Sequence, residues 1–341
     1  MSPDRFEAIT ARFAKLRLAV VGDFCLDRYL EIDPNRKETS IETGLPVHNV
    51  VNVRAQPGGA GTILNNLIAL GVGTISPVGF CGTDGEGFEL QRALRAAGGA
   101  VQLHHFFATD QRRTFTYCKP LLVEAGRPPV ELNRLDTKNW SPTPAAVAGR
   151  LADSVRRLGR DVHALIVLDQ VDLANTGVVS GPVLEAVGEL VAEDPQLPIL
   201  ADSRRGLRGF PPVMFKMNRA ELRALTDAPA DTGVDQVQEV TRALARKQGR
   251  HVFVTLAEEG MVGAAPDGEV IHVPALPVRG PIDIVGAGDA VTANLAAALA
   301  AGATLRETLE LASAAASVVI HQLGTTGAAT VPQIRARLAE G

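Results

Sequence analysis

Short apolar runs alternate with longer amphipathic stretches along most of this chain, and the alternation predicts its architecture. Leu16–Gly22, His163–Leu168, Leu197–Ala201, Val213–Met217 and His251–Leu256 have the length and composition of buried strands. Ala60–Gly71, Glu86–Ala97, Pro144–Leu158, Gly181–Glu193, Ala220–Thr226 and Val234–Lys247 read as helices between them. Strands alternating with helices imply a mostly parallel sheet covered on both faces, a doubly wound α/β fold. From Ala287 onward helices dominate.

Two stretches break this rhythm. Residues 28–54 and 112–136 hold short extended pieces (Arg28–Ile32, Val47–Val53, Thr114–Lys119 and Val130–Leu135) separated by Pro, Gly and Asn. They predict a small β-sheet lid inserted into one α/β domain spanning 1–341; the other reading is a pair of long surface loops. The Gly79–Gly87 run reads as a strand-to-helix turn.

Composition narrows the function. A net charge of −4 and a pI near 6.0 give no reason to expect nucleic acid or an anionic membrane as partner. Cys25, Cys81 and Cys118 are widely spaced and odd in number, and they read as free thiols. With no apolar leader and no run of about 18 apolar residues, the expected location is cytoplasmic. His104, His105 and Trp140 have no sequence partners and read as surface or packing residues.

The chemistry concentrates in Asp283-Ile284-Val285-Gly286-Ala287-Gly288-Asp289, which opens an Ala-rich helix. A glycine loop at a helix start presents unpaired N–H groups, and the helix dipole adds about half a positive charge. A carboxylate in that place would repel a passively bound phosphate. It fits a group that takes a proton from a hydroxyl about to attack phosphorus. The chain has no Gly-x-x-x-x-Gly-Lys-[Ser/Thr] loop, and no Gly-x-Gly-x-x-Gly follows its first strand, so P-loop and dinucleotide readings lose their support.

The Asp283–Asp289 loop resembles the C-terminal motif of the ribokinase-like (PfkB) carbohydrate kinases. Four further resemblances follow in the family's order: Val21-Gly22-Asp23-Phe24-Cys25-Leu26-Asp27, Pro57-Gly58-Gly59-Ala60, Asn218-Arg219-Ala220-Glu221 and Thr255-Leu256-Ala257-Glu258-Glu259-Gly260. Together they span about residues 16–335. Gly22-Asp23-x-x-Leu26-Asp27-Arg28-Tyr29, Asn133-Arg134-Leu135-Asp136 and Gln322-Leu323-Gly324-Thr325 look nearest to the kinases of heptose 7-phosphate.

The resemblance implies a ribokinase-like fold and transfer of the γ-phosphoryl group of ATP, with Mg²⁺, to a sugar or sugar phosphate. Asp289 would be the catalytic base, and the amides of Gly286, Ala287 and Gly288 the anion hole. Asp27, Gly58, Gly59 and Thr62 would meet the sugar, with Asp23 lining the cleft or capping the strand. Asn218 and Glu221 would hold nucleotide phosphate and, through water, Mg²⁺. Thr255, Ala257 and Gly260 would border the nucleotide. Asp283, with carbonyls of the Leu323–Gly327 loop, is where the resemblance places a monovalent cation, K⁺. A homodimer through the lid is a further expectation.

Four positions depart from the family pattern. Thr62 stands where Asn is usual, and Ala257 where Gly is usual. Asp169-Gln170-Val171-Asp172-Leu173 replaces Asp-Tyr-Gly-Lys-Gly, and Asp202-Ser203-Arg204-Arg205 replaces Asp-Pro-Lys-Gly, so Arg204 is expected to supply some of the lost charge. These changes point to an altered acceptor. They keep open a nucleoside or small-alcohol kinase, and a non-catalytic sugar- or nucleotide-binding regulator.

Overall fold

The computed structural model describes residues 1–228 and 233–340. Its strands are β1 (Arg17–Gly22), β2 (Phe24–Thr39), β3 (Pro46–Gly59), β4 (Thr74–Gly82), β5 (Phe106–Thr109), β6 (Thr116–Leu122), β7 (Val130–Glu131), β8 (Leu135–Thr137), β9 (Ala164–Asp169), β10 (Ile199–Ser203), β11 (Met214–Asn218), β12 (Val252–Thr255), β13 (Met261–Ala264) and β14 (Val270–Val273). Its helices are α1 (Pro3–Thr10), α2 (Ala60–Ala69), α3 (Gly85–Ala96), α4 (Ala145–Leu158), α5 (Gly181–Glu193), α6 (Arg219–Thr226), α7 (Val234–Gln248), α8 (Ala287–Ala300), α9 (Leu305–Val319) and α10 (Val331–Ala339).

Nine strands form one sheet in the order β14-β13-β12-β11-β10-β9-β1-β4-β5. Pairing is parallel from β12 to β5, and antiparallel between β12, β13 and β14. Successive side chains of a strand point to opposite faces, so strands buried on both faces need apolar residues throughout. In β1, Leu18 and Val20 enter one core, with α2, α8 and α9; Ala19 and Val21 enter the other, with α4, α5 and α7. This is the ribokinase-like doubly wound layout that the sequence predicts. Among the described residues no helix is long and apolar enough to cross a membrane.

The lid is a real sheet, of order β3-β2-β6-β7, with β8 paired to β6. Its two long strands, β2 and β3, exceed the predicted segments and run back into the core. Only Asp23 separates β1 from β2, and Gly59 ends β3 where α2 begins. The Gly79–Gly87 run is the expected strand-to-helix junction: Gly79 and Gly82 lie in β4, Gly85 and Gly87 in α3, and Asp84 caps the helix by accepting the Gly87 N–H at 2.9 Å.

Candidate active site

The candidate residues gather at the carboxyl ends of the core strands, where open α/β sheets bind ligands. Asp23 follows β1, Asp169 ends β9, and Asp202 lies near the end of β10. Asn218 ends β11 in register with Thr255 at the end of β12. Facing them is the head of α8, where Gly286 holds φ +84°, a conformation glycine adopts without steric cost.

The helix head differs in detail from the expected anion hole. The Ala287 N–H already donates to the Ile284 carbonyl at 3.2 Å. The amides of Gly286, Gly288 and Asp289 have no acceptor among the described residues, so the open donors include Asp289's own N–H in place of Ala287's. These orphan amides fit a phosphate.

Asp289 retains partial solvent access, yet its carboxyl is pushed up to about 7. Burial is the first cause and the charge of Asp202 the second; Lys216 opposes them, and the charges of Asp27 and Arg204 also reach it.

Sequence reasoning missed Lys216. This buried ammonium donates to Asp202 Oδ2 at 2.7 Å, and the Thr292 hydroxyl donates to the same oxygen at 3.1 Å. Burial alone would lower the Lys216 pKa, but the charge of Asp202 and the hydrogen bond to it hold the value above the ordinary one. A Cβ on Gly288 would lie 3.2 Å from the Lys216 Nζ, which places the ammonium directly under the glycine loop. The available signal was a lone Lys inside an apolar run, since burying an ammonium demands a partner.

On the acceptor side, Asp27 is buried on β2, and its carboxylate makes no hydrogen bond among the described residues. Burial raises its pKa, against the charges of Lys119 and Arg134. Gly58 is required beside it, because a Cβ there would sit 2.7 Å from the carboxyl carbon. The Thr62 hydroxyl, in the first turn of α2, is enclosed and has no hydrogen-bond partner among the described residues. A carboxylate likewise free of such partners, beside a glycine that leaves it room, suits a polyol.

Asp23 does not line this cleft. It is fully buried, and its carboxylate accepts the N–H groups of Val178 at 2.7 Å and Gln170 at 2.9 Å. Both oxygens fasten the loop after β9, and the capping alternative describes the residue.

Asn218 and Glu221 form a reciprocal cap on α6. The Glu221 N–H donates to Asn218 Oδ1 at 2.9 Å, and the Asn218 N–H donates to Glu221 Oε2 at 2.7 Å. Glu221 Oε1 makes no such bond, and burial followed by the Asp202 charge raises this carboxyl, while the capping N–H and Lys216 lower it. One carboxylate oxygen facing a polar cleft fits an outer-sphere role toward Mg²⁺, which keeps much of its water. Among the described residues no group of three or more His, Cys, Asp or Glu gathers as a metal centre.

Ala257 has φ +53°, so this position does use the left-handed conformation that favours glycine. Asp283 is satisfied by backbone donors, Val285 N–H at 3.0 Å and Gly324 N–H at 3.2 Å. It thereby ties the Leu323–Gly327 loop to the helix head. Arg204 lies 3.8 Å from Asp172, whose other oxygen takes Lys138 at 2.6 Å, so part of its expected positive charge is already neutralised.

Comparison with known proteins agrees with this geometry. Residues 205–332 match the description "pfkB family carbohydrate kinase". The bifunctional protein HldE of Rhodospirillum rubrum is 33% identical over 319 residues, covering 93% of this chain and 61% of its own length. That of Azorhizobium caulinodans is 31% identical over 325 residues, covering 94% of this chain and 64% of its own. The chain thus spans under two thirds of these relatives. Arabidopsis thaliana ribokinase, solved with ribose and ATP, superposes with a TM-score of 0.68 at 21% identity, over 95% of this chain and 98% of that one. Escherichia coli phosphofructokinase-2, solved with fructose-6-phosphate, gives 0.69 at 17% identity, over 95% and 99%. The sheet topology is that of the solved ribokinase and phosphofructokinase-2 folds, and the ordered motifs agree with the pfkB carbohydrate kinase match over residues 205–332.

Proposed function

We propose that this chain is an ATP-dependent carbohydrate kinase that phosphorylates a hydroxyl of a sugar or sugar phosphate. The observation that carries the reading is Asp289: a carboxyl poised at about 7, at a helix head with open amides and an ammonium beneath it. A general base works best when its pKa lies near the operating pH. ATP with Mg²⁺ supplies the phosphoryl group and shields its charge.

The residues divide the work between them. Asp27 accepts hydrogen bonds from acceptor hydroxyls, and Gly58 and Gly59 let the sugar approach the backbone. Asp289 receives the proton of the attacking hydroxyl. The amides of Gly286 and Gly288, with Lys216 below them, oppose charge on the moving phosphoryl group. Asn218 and Glu221, then Thr255, Ala257 and Gly260, form the nucleotide side. Asp283 and the Leu323–Gly327 loop are the place for K⁺. Residues 1–341 act as one kinase unit under its lid, and two copies pair through the apolar outer residues of that lid. A heptose 7-phosphate-like acceptor follows from likeness to the bifunctional relatives.

The test is ADP release from MgATP across sugars, sugar phosphates and nucleosides. Asp289→Asn should lower acceptor-dependent turnover by about 10²–10⁴-fold while nucleotide binding persists. Because the base must be unprotonated, kcat/KM should rise as pH climbs through about 7 and fall away in acid. Near-normal turnover in the variant removes Asp289 as the base; nucleotide binding with no acceptor anywhere in the panel favours the regulator reading.

A further inference from the structure

His104 and His105 have no part in phosphoryl transfer; His104 is exposed and His105 half-buried, as expected for surface residues, and they lie beside one another against a basic helix face. A short turn, Leu103–His105, sets them against α4 on the flank of the core sheet beside its edge strand β5. A cavity of about 530 Å³ opens there, lined by His104, His105, Gly149, Arg150, Asp153 and Arg157. The four α4 residues are spaced by one, three and four, which keeps them on one side of the helix.

Charge in this cavity is one-sided. Neither the Arg150 nor the Arg157 guanidinium donates to an acceptor among the described residues. Arg150 is instead held flat, 3.8 Å over the Phe107 ring. Asp153 is the one carboxylate in the lining, and it is engaged by Arg156 at 3.4 Å on its other side. His105 titrates below the ordinary histidine value, through burial first and then the charges of His104 and Arg157. Four basic groups, three of them exposed, therefore line one open surface groove of a molecule whose net charge is −4.

The floor is open as well. A Cβ at Gly149 would meet nothing within 4 Å. The volume falls within the range of small-molecule sites, about 300–1,000 Å³.

We propose that this cavity is a binding site for a small phosphate monoester, gripped by Arg150 and Arg157 and capped by the imidazoles of His104 and His105. Guanidinium forks match phosphate oxygens in pairs, and imidazolium adds charge-assisted donors. Asp153 faces the organic part of the ester and accepts from its hydroxyls. The site shares no residue with the phosphoryl-transfer cleft, so it stands or falls independently of the kinase reading.

The test uses the full chain and the imidazole NMR signals of His104 and His105, assigned with His104→Gln and His105→Gln. Glycerol 3-phosphate is the probe, and inorganic phosphate the smaller comparison. In the unaltered protein and in Asp289→Asn, the probe should raise both titration midpoints, with a Kd of about 1 mM or tighter. Arg150→Gln with Arg157→Gln should weaken that response at least tenfold, about one charge-assisted bond's loss. Gly149→Leu keeps every charge, fills the floor and should exclude glycerol 3-phosphate. Absence of any shift in the unaltered protein, or an undiminished shift in the arginine double variant or in Gly149→Leu, overturns the site. Thermal unfolding checks that each variant is folded.

Discussion

Beneath the head of α8 the Lys216 ammonium and the Thr292 hydroxyl, both out of water, bond one buried carboxylate, that of Asp202. The lid across the cleft is a thin sheet; Val51 of β3, with Ile41 and Leu45 in the turn that joins β2 to β3, faces solvent. The first region is set before any ligand arrives, because separating buried charges costs several kcal/mol. The lid is held by backbone pairing between β2, β3 and β6. A preset charged region beside a sheet with exposed apolar residues fits the proposed kinase, with constant transfer chemistry and a variable acceptor.

Lys216→Met tests this contrast most severely. Leaving Asp202 buried and unpaired should cost about 3–5 kcal/mol, read from denaturant unfolding, and Asp202→Asn in the same chain should recover part of it. An unchanged unfolding midpoint would mean that the pair does not hold the region together.

Asp23 joins the two regions and gives the next largest effect. Its carboxyl is raised from 3.8 to about 7 by burial, then by Asp169, against the hydrogen bonds from Val178 and Gln170. The folded protein therefore keeps a proton that the unfolded chain releases. Stability from this group is full in acid and is lost as pH rises from about 4 through 7. Asp23→Asn should flatten that decline, compared at pH values inside and above this window; a slope as steep as before would assign the decline to other groups.

Ala257→Gly is smaller and of opposite sign. Releasing a left-handed alanine should stabilise the fold by about 1 kcal/mol, seen as a higher Tm. A lower Tm would show that the methyl group packs usefully. The smallest effect is expected from Ile41→Ser with Val51→Ser. Chain stability should stay within about 0.5 kcal/mol, while sedimentation shows the lid-paired dimer replaced by monomer. Unchanged association would place the contact elsewhere.

Much of this contrast is legible in the chain. The run Val213–Met217 lies one residue from β11, because strands buried on both faces announce themselves by apolar content; in the lid, Arg28–Ile32 and Val47–Val53 fall inside β2 and β3, Thr114–Lys119 starts two residues before β6, and Val130–Leu135 divides between β7 and β8. β4 escaped because Pro77 and Gly79 interrupt it, and such residues ordinarily argue against a central strand; Pro77 nonetheless sits in register with Val20. Asp289 was legible from its glycine neighbours, and Asp27 only through the resemblance of Val21–Asp27 to the family's first-strand motif. Lys216 was not, since its meaning depends on Asp202, a residue brought alongside only by the parallel pairing of β10 and β11. Asp23 likewise needed the loop after β9 to show which groups take its oxygens.

The central place of β1 has a consequence for biosynthesis. Leu18 pairs with Ile75 on one side but with Ala164 on the other. A ribosome delivers the chain from its N-terminus, so β1 is made early and waits for β9, on the order of ten seconds at ordinary elongation rates. Throughout that interval an apolar strand, destined for the middle of the sheet, has an open edge. Chaperone capture and wrong strand pairing can compete with native pairing there, before the site residues after β9 have been synthesised.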